Sequence, residues 1–150
     1  MISKKTKYAL KAALMLAEQY VSHEPVLIAE VAEKEAIPKK FLESILLEMK
    51  NKGLLISRKG KGGGYLLARP PDQISFGDII RAFEGSMAPV PCVEPGREAQ
   101  CPECQDAHHC SIRTVMRELY NVSIGILDGT SLAQANEKSR RSEAVSMYFI

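Results

Sequence analysis

The chain has 150 residues, 45% of them hydrophobic, and 20 Lys and Arg against 18 Asp and Glu give a formal net charge of +2. With no low-complexity tract, that length suits one compact domain plus an appendage. The charge is split: residues 1–69 hold 13 basic side chains against 7 acidic, and residues 70–150 hold 7 against 11. A polyanionic partner is therefore expected for the first half alone, against the plainer reading that Lys-rich faces are solvated surface.

Leu10, Ala13, Leu14, Ala17 and Val21 recur at helical spacing and predict an amphipathic helix from Ser3 to about Tyr20, with Lys4, Lys7 and Lys11 facing outward. Its apolar run, Ala12 to Ala17, is cut off by Lys11 and Glu18. That run is too short for a secretory signal or a membrane span, so a cytoplasmic protein without a membrane partner is expected. After Val26 to Ile28 comes a helical segment near Ala29 to Glu35. Pro38 then opens a third helix that buries Phe41, Leu42, Ile45 and Met49, and Gly53 closes it as a left-handed cap. Two short helices joined tightly, the second presenting Lys39, Lys40, Glu43 and Ser44 near its start, make a helix-turn-helix pattern.

A β-type run, Leu54 to Ser57, leads into Arg58 to Lys61, a Gly62-Gly63-Gly64 turn and a returning strand, Tyr65 to Leu67. A hairpin tipped with Arg58, Lys59 and Lys61 reads as the wing of a winged helix, whose glycines, Gly62 among them, let backbone approach a phosphate. The competing reading, a phosphate-cradling loop of an NTP or dinucleotide site, lacks both G-x-G-x-x-G and G-x-x-x-x-G-K. Ser75 and Asp78 form an S-x-x-D capping box ahead of Ile79, Ile80 and Phe83, predicting a fourth helix packed under the hairpin. From Ile112, the positions Ile112, Val115, Leu119, Val122 and Ile126 alternate steps of three and four, while Met116, Tyr120, Ile124 and Leu127 line a second stripe. One stripe covers the chain's own core and the other is left for a partner helix, so a homodimer is expected. Two-fold symmetry would set two reading helices on a palindromic site.

All four cysteines, Cys92, Cys101, Cys104 and Cys110, fall in one stretch punctuated by Pro89, Pro91, Pro95, Gly96 and Pro102. Such a loop lacks the apolar residues to order itself, and in a reducing compartment grouped thiols bind metal more often than they form disulfides. The spacing C-x8-C-x2-C-x5-C supplies four soft ligands suited to zinc or to an iron–sulfur cluster. A thiol–disulfide switch without metal is the third reading. No nucleophile, base and orienting group can be assembled around His23, His108 or His109, so an enzyme is not expected. An electron-transfer protein could use the same cluster, but it would need neither a reading helix nor a basic wing.

Several blocks also match a known family: Lys7-Tyr8-Ala9-Leu10, Ile37-Pro38-Lys39-Lys40-Phe41-Leu42-Glu43, Gly53-Leu54-Leu55, the run from Lys59 to Ala68, Ile74-Ser75 and Asp78-Ile79-Ile80. Over nearly its whole length the chain resembles the bacterial iron–sulfur cluster regulators, winged-helix transcription factors of the IscR, NsrR and CymR group. The resemblance implies a mainly α fold with a small β-hairpin: a winged-helix DNA-binding domain at 1–84, a cysteine-rich sensor loop at 85–110, a dimerisation helix and following short helix at 111–138, and a tail at 139–150. It implies a dimeric regulator, usually a repressor, that senses iron–sulfur status, nitric oxide, redox state or a small effector. Lys4, Lys7, Lys39 and Lys40 would contact phosphates of double-stranded DNA, Phe41 to Ser44 would face base edges, and Lys59 and Lys61 would reach toward the minor groove. Glu43 either accepts from a cytosine amine or is simply solvated.

In cluster-binding members three cysteines precede the long helix, and Cys92, Cys104 and Cys110 take those places. The histidine found three positions beyond the last cysteine in some members is Arg113 here, and the first-helix aspartate ligand of others is replaced by Lys7 or Tyr8. Arg113 cannot coordinate iron. The substitutes are Cys101 first, then His108 or His109. Four thiolates suit a 2Fe-2S cluster first and a 4Fe-4S cluster second, with zinc as runner-up.

Overall fold

The Ser3 hydroxyl accepts from the Thr6 N–H and starts helix α1, Lys4–Glu18. The computed structural model describes residues 2–97, 101 and 109–147. Ala9, Ala12, Ala13 and Ala17 lie on the buried face of α1 beside Leu10, Met15 and Leu16. Small residues there let later helices pack close, and α1 touches helices from the middle and the C-terminal end of the chain. Val21 departs from the predicted stripe. The helix ends at Glu18, a 3-10 turn runs Tyr20–Ser22, and Val21 is 86% exposed.

Helix α2, Ile28–Lys34, buries Val31 and is joined to α3, Lys39–Asn51, through Ala36 in a left-handed conformation at φ 52°. Pro38 serves as the N-cap of α3 rather than its first residue. Leu42, Ile45, Leu46 and Met49 face the core, but Phe41, expected there, is 39% exposed. The four buried positions already fill the stripe at spacings of three, one and three, and position 41 falls outside it. At the other end the Gly53 N–H bonds the Lys50 carbonyl and the Leu54 N–H the Met49 carbonyl, a Schellman closure with Gly53 at φ 74°.

Strands β1, Leu55–Arg58, and β2, Gly64–Leu67, pair antiparallel in the register Leu55 to Leu67. Arg58 thus lies within β1, and the tip is Lys59 to Gly63. Val26 adds a bridge on the free side of β2, exchanging two 3.0 Å hydrogen bonds with Tyr65. Only glycine suits position 64, because a Cβ there would stand 2.2 Å from the Val26 carbonyl oxygen.

Helix α4, Phe76–Glu84, carries the full capping box between Ser75 and Asp78. It packs chiefly on α1 and α5 rather than under the hairpin, since Ile79 and Ile80 are directed into the helical core. A 3-10 turn, Pro91–Val93, buries Cys92 and Val93 and packs on helix α5, Ser111–Asp128. This part of the cysteine segment is therefore seated by its own apolar side chains, which the expectation of a loop unable to order itself did not include. Helix α6, Leu132–Met147, returns to α1: Leu132 is fully buried, and the Asn136 side-chain amide donates to the Leu14 carbonyl at 3.0 Å. The short helix expected to end at 138 continues through most of the expected tail. Among the described residues no helix is long and apolar enough to cross a membrane.

Candidate nucleic-acid interface and metal centre

One face of the molecule gathers the basic and polar residues singled out in the sequence. The stripe that buries Leu42, Ile45, Leu46 and Met49 leaves Lys39, Lys40, Phe41, Glu43 and Ser44 on the outer side of α3, all exposed. The wing carries Lys59, Lys61 and Gly62 at its exposed tip. Between them lies a groove of about 500 Å³ lined by Lys39, Glu43, Lys50, Arg58, Lys59 and the N-terminus of α2. Glu43 is its one carboxylate among four cations, a place where it can discriminate among bases rather than add affinity. The Ser44 hydroxyl donates to the Phe41 carbonyl at 2.7 Å, which leaves its lone pairs for a donor on a base.

Lys4 and Lys7 extend this surface along α1, both exposed. The Lys4 ammonium sits 5.6 Å from the centroid of Tyr8, and Tyr8 meets Phe41 edge-on at 5.7 Å. This joins Lys4 to the start of α3 through two aromatic rings. Lys11 is diverted from any outside partner, holding the Glu35 carboxylate at 3.3 Å and the Glu35 carbonyl at 3.1 Å.

The start of α1 is fixed by Glu84, the last residue of α4. One carboxylate oxygen accepts from the Thr6 hydroxyl and from the Ser3 N–H at 2.7 Å. The Thr6 hydroxyl first, then the Ser3 N–H, holds the Glu84 carboxyl down to about 2. An ionised Glu84 therefore anchors the end of the helix that presents Lys4 and Lys7.

Two of the cysteines are seated at α5, Cys92 on the turn that packs against it and Cys110 at its start. Cys92 is 9% exposed on the 3-10 turn against α5, and Cys101 is half-buried; both are thiols rather than disulfide sulfurs. Cys110 is the N-cap of α5, its sulfur accepting from the Arg113 N–H at 3.5 Å. Cys104 and His108 lie outside the described residues. Among the described residues no three potential ligands gather closely enough to hold a metal ion. The donor chemistry of Cys92, Cys101 and Cys110, three thiols on one segment, suits a soft metal or cluster once Cys104 is counted.

Helix α5 itself has no fully buried residue. Ile112, Val115, Leu119, Val122 and Ile126 are each between 51% and 69% exposed, whereas Met116, Tyr120, Ile124 and Leu127 are half-buried against the body. The two stripes are thus divided as the spacing predicted.

The profile of the Rrf2 family, described as an iron-dependent transcriptional regulator, matches residues 2–138. The chain belongs to the Rrf2 family. It is 37% identical over 134 residues to the rrf2-like HTH-type transcriptional regulator of Rhodobacter capsulatus, covering 88% of this chain and 89% of that one. It is 32% identical over 133 residues to the HTH-type regulator IscR of Aliivibrio salmonicida, covering 89% and 75%. Its fold is similar to that of CymR, the global cysteine regulator of B. subtilis, with a TM-score of 0.77 and 28% identity over 92% of this chain and 97% of that one. It is similar also to IscR of T. potens, with a TM-score of 0.75 and 27% identity over 95% and 90%.

As an Rrf2 protein the chain is a DNA-binding transcriptional regulator with a winged-helix fold, and its relatives are regulators rather than enzymes. Sequence reasoning missed Lys50 and Tyr8 on this Rrf2 surface. Lys50 could have been found, since it lies seven residues beyond Glu43 and so shares its helical face. Tyr8 gave no such signal, because its contact with Phe41 is made between helices.

Proposed function

We propose that this Rrf2 protein is a homodimeric repressor of a palindromic DNA site, with binding controlled by an iron–sulfur cluster held by Cys92, Cys101, Cys104 and Cys110. The observation that carries this reading is the position of Cys110. The same residue ends the cysteine segment and caps α5, the helix with the uncovered apolar stripe. A change at its sulfur acts directly on the first turn of the helix that would join two protomers. When bound, a cluster supplies reversible redox chemistry and coordination that oxidation or nitric oxide can remove. The chain's own residues do the rest: Lys39, Lys40, Lys4 and Lys7 take phosphates, Phe41, Glu43 and Ser44 face base edges while Leu42 between them stays in the core, and Lys59 and Lys61 enter the minor groove.

Cys101 is the proposed fourth ligand. It stands three residues before Cys104, and its thiolate matches iron better than the imidazole of His108 or His109. In anaerobically prepared protein, Cys101→Ala should lose or strongly destabilise the visible cluster spectrum, and His108→Ala or His109→Ala should leave it largely intact. The reverse pattern would overturn the ligand assignment. Stoichiometric zinc without iron or sulfide would overturn the cluster and leave a structural metal in a DNA-binding dimer.

A metal-free thiol switch is the second reading. It is favoured by the similarity to CymR of Staphylococcus aureus, solved in an oxidized form, at a TM-score of 0.69 and 27% identity. Protein free of iron, sulfide and zinc whose DNA affinity changes on mild oxidation and recovers with a thiol reductant would establish it.

A further inference from the structure

The C-terminal end of α5 is fastened to the DNA-binding body by backbone and side chains together. The Phe76 N–H donates to the Thr130 carbonyl at 3.0 Å and the Leu132 N–H to the Ile74 carbonyl at 2.9 Å, so the turn after α5 is zipped beside the entry to α4. Asp128, the last residue of α5, receives the Arg81 guanidinium of α4 at 2.7 Å. Arg81 also lies 3.7 Å from Asp78, and Asp78 lies 4.0 Å from Arg69, two residues beyond wing strand β2. Gly77 clears the space for this arrangement, because a Cβ there would stand 1.8 Å from the Asp128 Oδ1. Alternating charges therefore run from the foot of the wing to the end of the stripe-bearing helix.

We infer that the Arg81–Asp128 pair fixes the angle at which α5 leaves the DNA-binding body and so determines which half-site spacing the protein accepts, an inference that rests on the dimer proposed above. Two backbone hydrogen bonds in one turn locate the end of α5, and Met116, Tyr120, Ile124 and Leu127 rest on the body half-buried, none of them fully. The ion pair is a further, polar attachment between α4 and α5 that sets the helix's direction within this shallow contact. An 18-residue helix is about 27 Å long, so a tilt of about 7° at one end moves the other by about 3.4 Å, the rise of one base pair. One base pair also turns the second half-site by about 35° around the duplex, so a dimer with stiff joints reads one spacing. Each side chain of the pair is 41% exposed, so the pair contributes little to folding stability and its loss should loosen geometry rather than unfold the chain.

The test is selection of paired half-sites from a pool of random duplexes, followed by affinities on the selected spacing and on spacings one base pair longer and shorter. Wild type should prefer its own spacing by about tenfold or more, and Arg81→Gln and Asp128→Asn should reduce that preference to about threefold or less. Gly77→Ala should do the same while keeping the fold, since its methyl meets only the ends of two flexible side chains, the Asp128 carboxylate at 1.8 Å and the Arg81 guanidinium at 3.0 Å, and alanine suits a helix. In all three, affinity for mixed-sequence duplex should stay unchanged, and the exchange of Arg81→Asp with Asp128→Arg should restore the preference. Folded dimers of all three variants that keep the wild-type spacing preference would overturn the inference. A wild-type protein that selects no paired half-sites would instead overturn the dimeric reading, and the inference with it.

Discussion

Glu84 anchors the start of α1 only while it is ionised. Its carboxyl is held down to about 2 by the Thr6 hydroxyl and the Ser3 N–H, from an ordinary value of 4.5. A carboxyl depressed in the folded state contributes stability that is fully present above the unfolded value and is lost as pH falls through the folded one. Wild type should therefore lose this contribution between about pH 4.5 and about 2. Glu84→Gln should unfold at lower urea than wild type near neutral pH, with the gap closing as the pH falls; a constant gap would contradict the assignment. Solvent around this carboxylate keeps the effect small. Lys59 and Lys61 act differently, since both stand exposed at the tip of the wing. Replacing both with Ala should weaken binding to every duplex alike and lower the salt slope by about two. An unchanged slope would remove the wing from the interface.

At the scale of elements, α5 is divided between two roles by its two stripes. The outer stripe is uncovered within one chain, with Val115 57% and Leu119 51% exposed. Val115→Asp with Leu119→Asp should leave the monomer folded and weaken self-association by roughly a hundredfold or more, because a seam that buries unpaired charge loses about 3 kcal/mol or more. A folded dimer of the double variant in sedimentation would place the seam elsewhere. These stripes were legible in the sequence because a helix 18 residues long repeats its pattern several times. The Gly53 cap and the Ser75–Asp78 box were equally plain, since each depends on residues within a few positions of one another. Contacts between distant segments were not legible. Nothing near Val26 signals that it extends the wing sheet through Tyr65, and nothing near Ala36 signals that the turn between α2 and α3 takes a left-handed residue other than glycine. The exposure of Val21 and Phe41 belongs to the same class, because an apolar side chain at helical spacing faces the core only if its backbone continues the helix and falls within the buried stripe.

For the whole molecule, a reading surface on α3 and the wing is joined through α4 to a helix whose opposite end carries the Cys110 thiol. Cys110 caps one end of α5, and Asp128 meets Arg81 at the other. The DNA-binding half was the more legible of the two, because its blocks from Ile37 to Glu43 and from Lys59 to Ala68 match a family pattern residue by residue. The cysteine half was less so, since Arg113 stands where some members carry a ligand. Coupling between the thiols and the reading surface needs only about 2.7 kcal/mol of differential binding to shift occupancy a hundredfold, within the usual range for an effector. The most direct measurement is DNA affinity, on a duplex selected by this protein, for the anaerobically purified iron-loaded form and for the same preparation after the iron is removed. The two dissociation constants should differ by about tenfold or more, with the difference abolished in Cys110→Ala. Equal constants for loaded and stripped protein, both folded and dimeric, would contradict this coupling.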